Sequence, residues 1–307
     1  MRDKKDLRIV FFGTPGFAAC SLQAMIDKGF NVVAVVTAPD KPAGRGYKLQ
    51  ASAVKDCAVK NHLPVLQPVN LKSEEFLTQL RSYNADIQVV IAFRMLPEAV
   101  WNMPPLGTFN LHASYLPHYR GAAPINRAIM NGETETGVTT FFLKHEIDTG
   151  NIILQEKIHI LPEDNAGTLH DRLMTRGAEL VIQSLELILS GNYELKPQAP
   201  GDFPHAPKIF TDDCQIRWDF PAIKVHNLVR GLSPYPAAFT FFQDKKLKVF
   251  ETEISGEKSS VPGLIEIRNN KLLAHCRDFI IELKDVQAEG KKRMPARDFI
   301  NGLHLTH

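Results

Sequence analysis

Short, uninterrupted apolar runs alternate with helix-like segments through the first two-thirds of the sequence. Runs such as Val32–Val36 and Val89–Ala92 lack the polar alternation of a half-exposed strand, so they predict strands covered on both faces of a sheet. The pattern predicts strands near 7–12, 31–37, 86–92, 107–111 and 137–143, and helices near 15–28, 72–82, 123–131 and 166–189. Strands and helices that alternate in this way form βαβ units. We therefore predict a doubly wound α/β domain with a mostly parallel sheet over residues 1–189.

The sequence changes character after residue 189. Residues 190–207 are rich in Gly, Asn and Pro and have no amphipathic period, as expected of an interdomain linker. The remaining residues, 208–307, contain a predicted helix near 222–232 and short predicted strands near 237–242, 246–254, 262–267, 271–276 and 278–286. Short strands separated by turn residues favour a small β-barrel as the second domain.

Composition limits the class of protein and its compartment. The 307 residues are 44% hydrophobic and 23% charged, as in an ordinary globular protein. The longest apolar runs, such as 87–93, are far shorter than the roughly 20 residues that cross a bilayer, and the apolar stretch near the first residue is too short for a signal peptide. We expect a cytoplasmic protein without a membrane association.

The cysteines lie far apart and are expected to be reduced thiols: Cys20, Cys57, Cys214 and Cys276.

Charge is distributed unevenly along the chain. Residues 1–207 carry a formal net charge of −1 and residues 208–307 carry +3. A mildly basic tail is most often only a solvated surface, but it also suits an anionic partner. The run Glu289–Arg293, at a predicted hairpin tip, fits either interpretation.

Two common cofactor signatures are missing from the sequence. The turn Gly13–Gly16 follows the first predicted strand, but Pro15 breaks the G-x-G-x-x-G pattern of a dinucleotide site. Several histidines are isolated, without the H-x-x-H or H-E-x-x-H spacing of a metal site: His62, His159, His170 and His205. We therefore expect neither a nucleotide cofactor nor a metal.

A polar pair stands at the carboxyl end of the strand predicted near 107–111. Asn110 and His112 are two residues apart, so they project from the same face of a strand, at the edge where open α/β sheets bind ligands. An amide donor beside a titratable imidazole suits acyl transfer, because the amide can stabilise a developing oxyanion while the imidazole moves a proton. In isolation, an N-x-H pair more often only satisfies the backbone of a turn.

Two segments downstream favour the catalytic interpretation. Arg120–Ile125 combines a tight Gly turn with a Pro at a predicted helix start, and the strand predicted near 137–143 leads into Ile147–Gly150. Asp148 follows that strand, where a carboxylate can hold the imidazole tautomer and favour its charged form. Considered alone, Asp148 could equally be a turn-former.

Several blocks of the sequence together resemble a known family. The segments N-x-H-x-S-x-L-P, R-G-A-A-P-I and I-D-T-G occur in this order, along with further blocks at 11–15, 37–46 and 226–236. The chain thus resembles the folate-dependent formyltransferases over nearly its whole length, and within them the branch that acts on tRNA. The resemblance implies a Rossmann-like formyltransferase domain followed by an OB-like barrel. It also implies that Asn110, His112 and Asp148 are the catalytic residues.

The resemblance specifies the two substrates. The formyl donor is expected to be 10-formyltetrahydrofolate, and the acceptor the amino group of methionine on initiator tRNA, in preparation for translation initiation. The tetrahydrofolate is expected to lie against Ser114, Tyr115, Leu116 and Pro117, and its pterin to enter an apolar pocket near Ala92 and Phe93. The chain departs from the family at two places, since Tyr115 replaces a usual Leu, and Phe93-Arg94 replaces a usual Tyr-Gly. Both departures fall on the folate pocket and leave the reacting groups unchanged.

The loop at residues 40–50 is the candidate contact with tRNA. It carries Lys41, Arg45 and Lys48 among glycines, a composition that by itself suits a solvent-exposed loop as well as a binding loop. The resemblance implies that this loop enters the acceptor end of tRNA, with Arg45 central, and that the basic barrel holds the acceptor arm. Cations that contact phosphates would supply affinity and steering. We expect the protein to act as a monomer.

Three other functions stay open at this point. A formyltransferase could use a small amine, such as glycinamide ribonucleotide or an amino-sugar nucleotide, although such an acceptor needs neither the Arg45 loop nor a basic tail. A nicotinamide-dependent oxidoreductase would need the glycine pattern that Pro15 breaks. A non-catalytic tRNA-binding module would not need the set of Asn110, His112 and Asp148.

Overall fold

The structure is a computed structural model that describes residues 3–43 and 48–303. Its α-helices are α1 (Gly16–Asp27), α2 (Ala53–Lys60), α3 (Glu74–Ser82), α4 (Glu98–Trp101), α5 (Pro124–Met130), α6 (Ala166–Ser190), α7 (Ala222–Leu232) and α8 (Ala296–Leu303). Its strands are β1 (Arg8–Gly13), β2 (Asn31–Val36), β3 (Lys41–Ala43), β4 (Lys48–Gln50), β5 (Val65–Leu66), β6 (Ile87–Ile91), β7 (Thr108–His112), β8 (Arg120–Gly121), β9 (Glu135–Phe142), β10 (Ile152–His159), β11 (His205–Ala206), β12 (Ala238–Phe242), β13 (Lys245–Lys258), β14 (Ile265–Arg268), β15 (Lys271–His275), β16 (Phe279–Ala288) and β17 (Met294–Pro295). A short 3₁₀-helix spans Asp212–Cys214.

A seven-stranded sheet is built in the order β10-β9-β7-β6-β1-β2-β5. The strands from β5 across to β7 are parallel, and β9 is antiparallel to β7. The chain moves outward from β1 through β2 to β5 and then returns to β6 on the other side of β1. The strand order therefore reverses between β1 and β6, and ligands bind open α/β sheets at the carboxyl ends beside such a reversal. This topology confirms the predicted doubly wound, mostly parallel sheet.

The central strands are buried because they are apolar on both faces. Every residue of β6 is buried, and the side chains of Phe11 and Phe12 in β1 are fully buried. The one polar residue of β6, Gln88, is also fully buried, and its Oε1 accepts a hydrogen bond of 3.1 Å from Thr108 Oγ1. That bond offsets part of the cost of placing an amide in the sheet. Such continuous apolar strands are what a sheet covered on both faces requires.

Local signals explain where two of the helices begin. Ser52 and Ser73 are the N-cap residues of α2 and α3, and each Oγ accepts a hydrogen bond from the backbone N–H three residues further on. In α3 the buried side chains are Phe76, Leu77 and Leu80, which lie on one face of the helix. Tertiary burial of this face stabilises a helix that would be too short to form alone.

The chain separates into two compact units, and neither unit is continuous in sequence. Unit one runs to Arg120 and resumes over Gly137–Ile158 and Asp171–His205, and unit two takes Gly121–Thr136, His159–His170 and the chain from Ala206 onward. Helix α6 begins in unit two and continues in unit one. A truncation between residues 190 and 207 would therefore remove only part of unit two.

Unit two contains an antiparallel sheet in the order β12-β13-β16-β15-β14, with β17 paired to β16. Its longest strand, β13, has three irregularities in its register with β16, and such irregularities bend a strand. Helices α7 and α8 contribute to the core of this sheet through Val225, Val229 and Ile300. Burial in the same core raises the pKa of the Cys276 thiol to about 12. The predicted small, barrel-like second domain is confirmed.

Most predicted elements lie within two or three residues of the observed ones, but several observed elements were not predicted. These include α2, α8 and β10. Helix α2 buries only Val54 and Ala58, so its apolar period is weak. Strand β10 is the edge strand of the sheet. It begins with three apolar residues and continues mainly with polar and charged ones, so it shows neither a continuous apolar run nor a regular alternation. Within the described part of the chain, no helix is both long and apolar enough to cross a membrane.

The close packing of β9 on β10 predicts a stability effect at Gly137. A Cβ atom at this position would lie 2.3 Å from the carbonyl oxygen of Glu156 and 3.1 Å from the Tyr115 ring. We expect Gly137→Ala to lower the free energy of unfolding by about 1–3 kcal/mol, because the backbone of β10 must shift. Urea denaturation followed by circular dichroism measures this difference.

The matched control is Gly302→Ala in α8, where an added Cβ meets nothing within 4 Å in the described structure. Alanine favours helix more than glycine, so this variant should be as stable as the parent or more stable by up to about 1 kcal/mol. Equal midpoints and slopes for Gly137→Ala and the parent would contradict the packing of the two strands.

Candidate active site

The imidazole of His112 ends β7 and is almost buried, with 8% of the residue exposed. Its Nε2 lies 2.8 Å from the carbonyl oxygen of Tyr119. Because a carbonyl oxygen can only accept, Nε2 carries the hydrogen and donates it. In the neutral ring Nδ1 therefore holds the lone pair and is the nitrogen that can take up a proton.

Asp148 faces that second nitrogen. Its Oδ2 is 3.9 Å from His112 Nδ1, and only 14% of the aspartate side chain and 9% of the histidine side chain are exposed. This distance is too long for a hydrogen bond but short enough for an electrostatic interaction between two poorly solvated groups. A carboxylate so placed can stabilise positive charge that develops on the ring during a proton transfer. The pair can therefore take a proton at Nδ1 and stabilise the charge that results.

Asn110 lies two residues before His112 on the same strand and is half-buried. Its backbone is held on both sides, since it pairs in register with Val90 of β6 and Phe141 of β9. Within residues 3–43 and 48–303, the Asn110 carboxamide has no hydrogen-bond partner. Its strand position places it on the same face as His112. The site thus has an amide side chain on a fixed strand, beside an imidazole that is held by a hydrogen bond.

The segment 114–117 that follows β7 is tied to the sheet through one hydroxyl group. Thr139 Oγ1 donates to the carbonyl oxygen of Ser114 at 2.7 Å and accepts from the backbone N–H of Leu116 at 3.1 Å. Gln155 Nε2 donates to the carbonyl oxygen of Leu116 at 2.7 Å. The Ser114 hydroxyl turns back to the carbonyl oxygen of His118 at 2.6 Å. The backbone expected to lie against tetrahydrofolate is therefore pre-organised.

Tyr115, one of the two departures from the family, packs on the sheet. Gly137 of β9 leaves the room for it, since a Cβ on that glycine would come within 3.1 Å of the tyrosine. The Lys157 ammonium lies 5.5 Å from the centre of the ring. These contacts hold Tyr115 over the β9–β10 hairpin.

The other departure, Phe93-Arg94, lies after β6. Ala92 has a φ of +47°, which turns the chain away from the strand. Phe93 packs edge-to-face on Phe12 of β1, with 5.7 Å between ring centres. Arg94 donates to the carbonyl oxygen of Val69 at 2.9 Å and also to that of Pro68. This arginine therefore fastens the loop after β6 to the loop after β5, a contact that a glycine could not make.

A surface groove of about 780 Å³ lies between these two loops. Its lining residues are Val69, Asn70, Leu71, Lys72, Leu77, Arg94, Met95, Leu96, Pro97, Glu98 and Ala99. The lining includes neither Ala92 and Phe93 nor the segment 114–117. The residues predicted for the pterin and this groove are therefore different places on unit one.

The predicted tRNA loop is described only at its base. β3 and β4 pair as a hairpin in which Lys41 is opposite Gln50, and Lys41 is exposed. Arg45 and the side chain of Lys48 lie outside the described residues. At the base, Asp40 accepts from Lys55 at 2.5 Å and from Gln67 at 2.8 Å. The hydrogen bond from Lys55, followed by that from Gln67, holds the pKa of Asp40 below its usual value.

Two residues near the site were missed by sequence reasoning. Gln198, in the segment predicted to be a linker, donates from Nε2 to the carbonyl oxygens of Asp148 at 2.8 Å and Gly150 at 2.9 Å. Arg120 donates to Oε1 of the same glutamine from Nε at 3.0 Å and from Nη2 at 2.5 Å. No sequence signal marks a lone glutamine between prolines, because its partners are backbone atoms distant along the chain.

Among the residues that the structure describes, no three His, Cys, Asp or Glu side chains are grouped as metal ligands would be. The arrangement consists instead of an imidazole, a carboxylate and a primary amide at the carboxyl edge of a parallel sheet. Such a set can donate a hydrogen bond to a developing oxyanion and move a proton, which are the two requirements of acyl transfer to an amine.

Comparison with known proteins identifies the class. Residues 7–185 match the model of the formyl transferase family, and residues 208–304 match the model of the formyl transferase carboxyl-terminal domain. The chain belongs to the formyl transferase family.

Two relatives that match this chain over nearly its whole length bear the same name. The methionyl-tRNA formyltransferase of Bacteroides fragilis is 50% identical to this chain, with 99% of this chain and 97% of the relative covered. The methionyl-tRNA formyltransferase of Parabacteroides distasonis is 52% identical, with 97% of this chain and 96% of the relative covered. The similarity therefore extends over both domains of each relative.

A solved structure shares the fold at low sequence identity. HypX from Aquifex aeolicus, in complex with tetrahydrofolic acid, superimposes with a TM-score of 0.66 and 17% identity. The match covers 96% of this chain but only 47% of HypX, so this chain spans about half of that protein. At this identity the likeness is one of fold.

Proposed function

We propose that this protein transfers the formyl group of 10-formyltetrahydrofolate to the free amino group of methionyl initiator tRNA in the cytoplasm, for translation initiation. Two relatives with half of their residues identical over nearly the full length bear the name of that activity, and both domains of the family are present. The observation that carries the chemistry is the half-buried Asn110 amide, unpartnered among the described residues, on the strand that His112 ends.

The three polar residues have separate tasks in this reaction. The folate supplies the formyl group on a nitrogen that must leave with a proton. Asn110 donates a hydrogen bond to the formyl oxygen as the amine attacks and negative charge develops there. His112 takes the proton that the amine loses as its bond to the formyl carbon forms, and then returns this proton to the folate nitrogen as the bond from that nitrogen to the formyl carbon breaks. Asp148 stabilises the imidazolium ion between those two transfers.

The site suits a partly apolar co-substrate such as the folate. The segment 114–117 is fixed by Thr139 and Gln155, so little entropy is lost there when a ligand binds. Phe93 presents an aromatic side chain next to the turn at Ala92, and β6 and β7 end side by side there. Tyr115 and the Phe93-Arg94 pair are expected to modify the affinity for the folate without changing the reaction.

The acceptor assignment draws on different residues. Lys41, Arg45 and Lys48 are proposed to contact the acceptor end of the tRNA, as the family resemblance implies, and the basic domain to contact its acceptor arm. The hydrogen bonds from Lys55 and Gln67 to Asp40 fix the base of that loop. We propose that the protein acts as a monomer.

Loss of any one catalytic side chain should abolish most of the activity. We expect Asn110→Ala, His112→Ala and Asp148→Ala each to lower kcat by at least about a hundredfold, since each removes an oxyanion donor or part of the proton shuttle. The losses should not add in double variants, because the three residues act as a unit. Steady-state formylation of charged initiator tRNA measures these values.

The control for these variants is His159→Ala, which removes an exposed histidine from β10 of the same sheet. Its kcat should match that of the parent. Any member of the trio whose replacement leaves near-parental turnover has no place in the mechanism.

A change in salt dependence should identify the cationic contacts with tRNA. Lys291 and Lys292 are exposed at the turn between β16 and β17, and no ion-pair partner for either is found in the described structure. We expect the double variant Lys291→Gln/Lys292→Gln to raise the KM for tRNA and to flatten the dependence of log KM on log salt concentration, because fewer counterions are released. Arg45→Ala should lower kcat as well, since its loop must place the amine at the formyl carbon.

The matched control removes the same charge elsewhere. Lys28 and Lys60 are exposed at the carboxyl ends of α1 and α2, so Lys28→Gln/Lys60→Gln should leave both the KM and its salt slope unchanged. If Arg45→Ala and the Lys291/Lys292 variant both behave like the parent at all salt concentrations, the acceptor is a smaller amine and only the formyl transfer stands.

A further inference from the structure

The segment 190–207 contributes one side chain to the loop that carries Asp148. We propose that Gln198, held in place by Arg120, is a positioning residue that sets the distance between the Asp148 carboxylate and the His112 imidazole. This inference rests on the proposed function, because it assigns a task to a residue that acts through Asp148.

The orientation of the Gln198 amide is determined by its partners. Arg120 reaches Oε1 with two N–H groups, at 3.0 Å and 2.5 Å, and a guanidinium group has only donors. The amide oxygen must therefore face Arg120, and the NH₂ group must face the loop. A charge-assisted contact on the oxygen also polarises the amide and makes its N–H groups stronger donors.

Both N–H groups of Gln198 are used on the loop between β9 and β10. Nε2 donates to the carbonyl oxygen of Asp148 at 2.8 Å and to that of Gly150 at 2.9 Å. The two carbonyls bracket Thr149, so a single side chain fixes the backbone on either side of that residue. The carboxylate of Asp148 is attached to the first of these fixed points.

Asp148 needs such support because its backbone conformation is unfavourable. Its φ of +56° lies in the left-handed region, which a non-glycine residue adopts at a cost and keeps only where its surroundings impose it. Gly150 is pressed against β9, where a Cβ would lie 1.6 Å from the carbonyl oxygen of Phe142. The backbone of the loop is therefore held at Gly150 by packing and at Asp148 by the hydrogen bond from Gln198.

The attachment of the segment 190–207 to the sheet does not depend on the Gln198 side chain. Lys196, two residues earlier, makes two backbone hydrogen bonds with Ile152 of β10, at 2.8 Å and 3.0 Å. Those bonds keep the segment on the sheet when the Gln198 side chain is changed. A loss of activity in a Gln198 variant can thus be separated from a loss of the segment.

The decisive experiment is a double-mutant cycle on kcat. Gln198→Ala should lower kcat by about 10- to 100-fold with the KM for both substrates nearly unchanged, because a displaced carboxylate affects the transition state and not the binding of substrates. In the Asp148→Ala background the same change should cost less than about twofold, since there is no carboxylate left to position. A full further loss in that background would overturn the inference.

Two other variants separate the parts of the network. Gln198→Glu has the same shape and keeps an acceptor for Arg120 but cannot donate to the two carbonyls, so its kcat should fall at least as far as that of Gln198→Ala. Arg120→Met leaves Gln198 present but releases its amide, and it provides the same test if a Gln198 variant fails to fold. Asn192→Ala is the control, because this exposed amide in the same segment makes no side-chain hydrogen bond within the described chain. Its kcat should equal that of the parent.

The outcomes distinguish the inference from the proposed function. If the parent does not formylate charged initiator tRNA, the proposed function fails. If the parent is active and both Gln198→Ala and Gln198→Glu keep parental kcat, the function stands and Gln198 has no positioning role.

Discussion

The hydrogen bond from His112 Nε2 to the carbonyl oxygen of Tyr119 decides what the rest of the site can do. It leaves Nδ1 as the nitrogen that is able to take up a proton, and that nitrogen faces Asp148. The parallel sheet makes this arrangement possible, because β7 ends beside β6 and brings Asn110 and His112 to the edge where the strand order reverses. The family membership then gives this geometry its chemistry, since an amide donor and a proton shuttle are what formyl transfer to an amine requires.

Much of the fold followed from the sequence because the buried strands are apolar without interruption. Runs such as Val89–Ala92 and Val32–Val36 are typical of strands that are covered on both faces of a sheet. The observed bounds of the strands that contain them differ from the predicted bounds by one or two residues. Short elements with a weak apolar pattern were missed. Helix α8 has only eight residues and includes Gly302, so its short pattern did not stand out before its packing against the second sheet was known.

The site also has a part that the sequence predicts and a part that only the structure reveals. From the sequence, the resemblance to the family predicted Asn110, His112 and Asp148 as the catalytic residues, and each lies near the carboxyl end of a strand with a side chain suited to that task. The structure adds the supporting contacts, in which a side chain binds backbone atoms far away along the chain, as Gln198 does at Asp148 and Arg94 does at Val69. Such contacts have no sequence period. They depend on where two loops meet, which only a folded chain determines.

The central claim is the transfer of a formyl group to the amine of methionyl initiator tRNA. Its most direct test is to incubate the protein with 10-formyltetrahydrofolate and charged initiator tRNA, to release the aminoacyl group by mild base, and to determine its mass. The account predicts formylmethionine, formed in proportion to protein and at least about a hundredfold more slowly when His112→Ala replaces the parent. If only unmodified methionine is recovered while the 10-formyltetrahydrofolate is still intact, the account is contradicted.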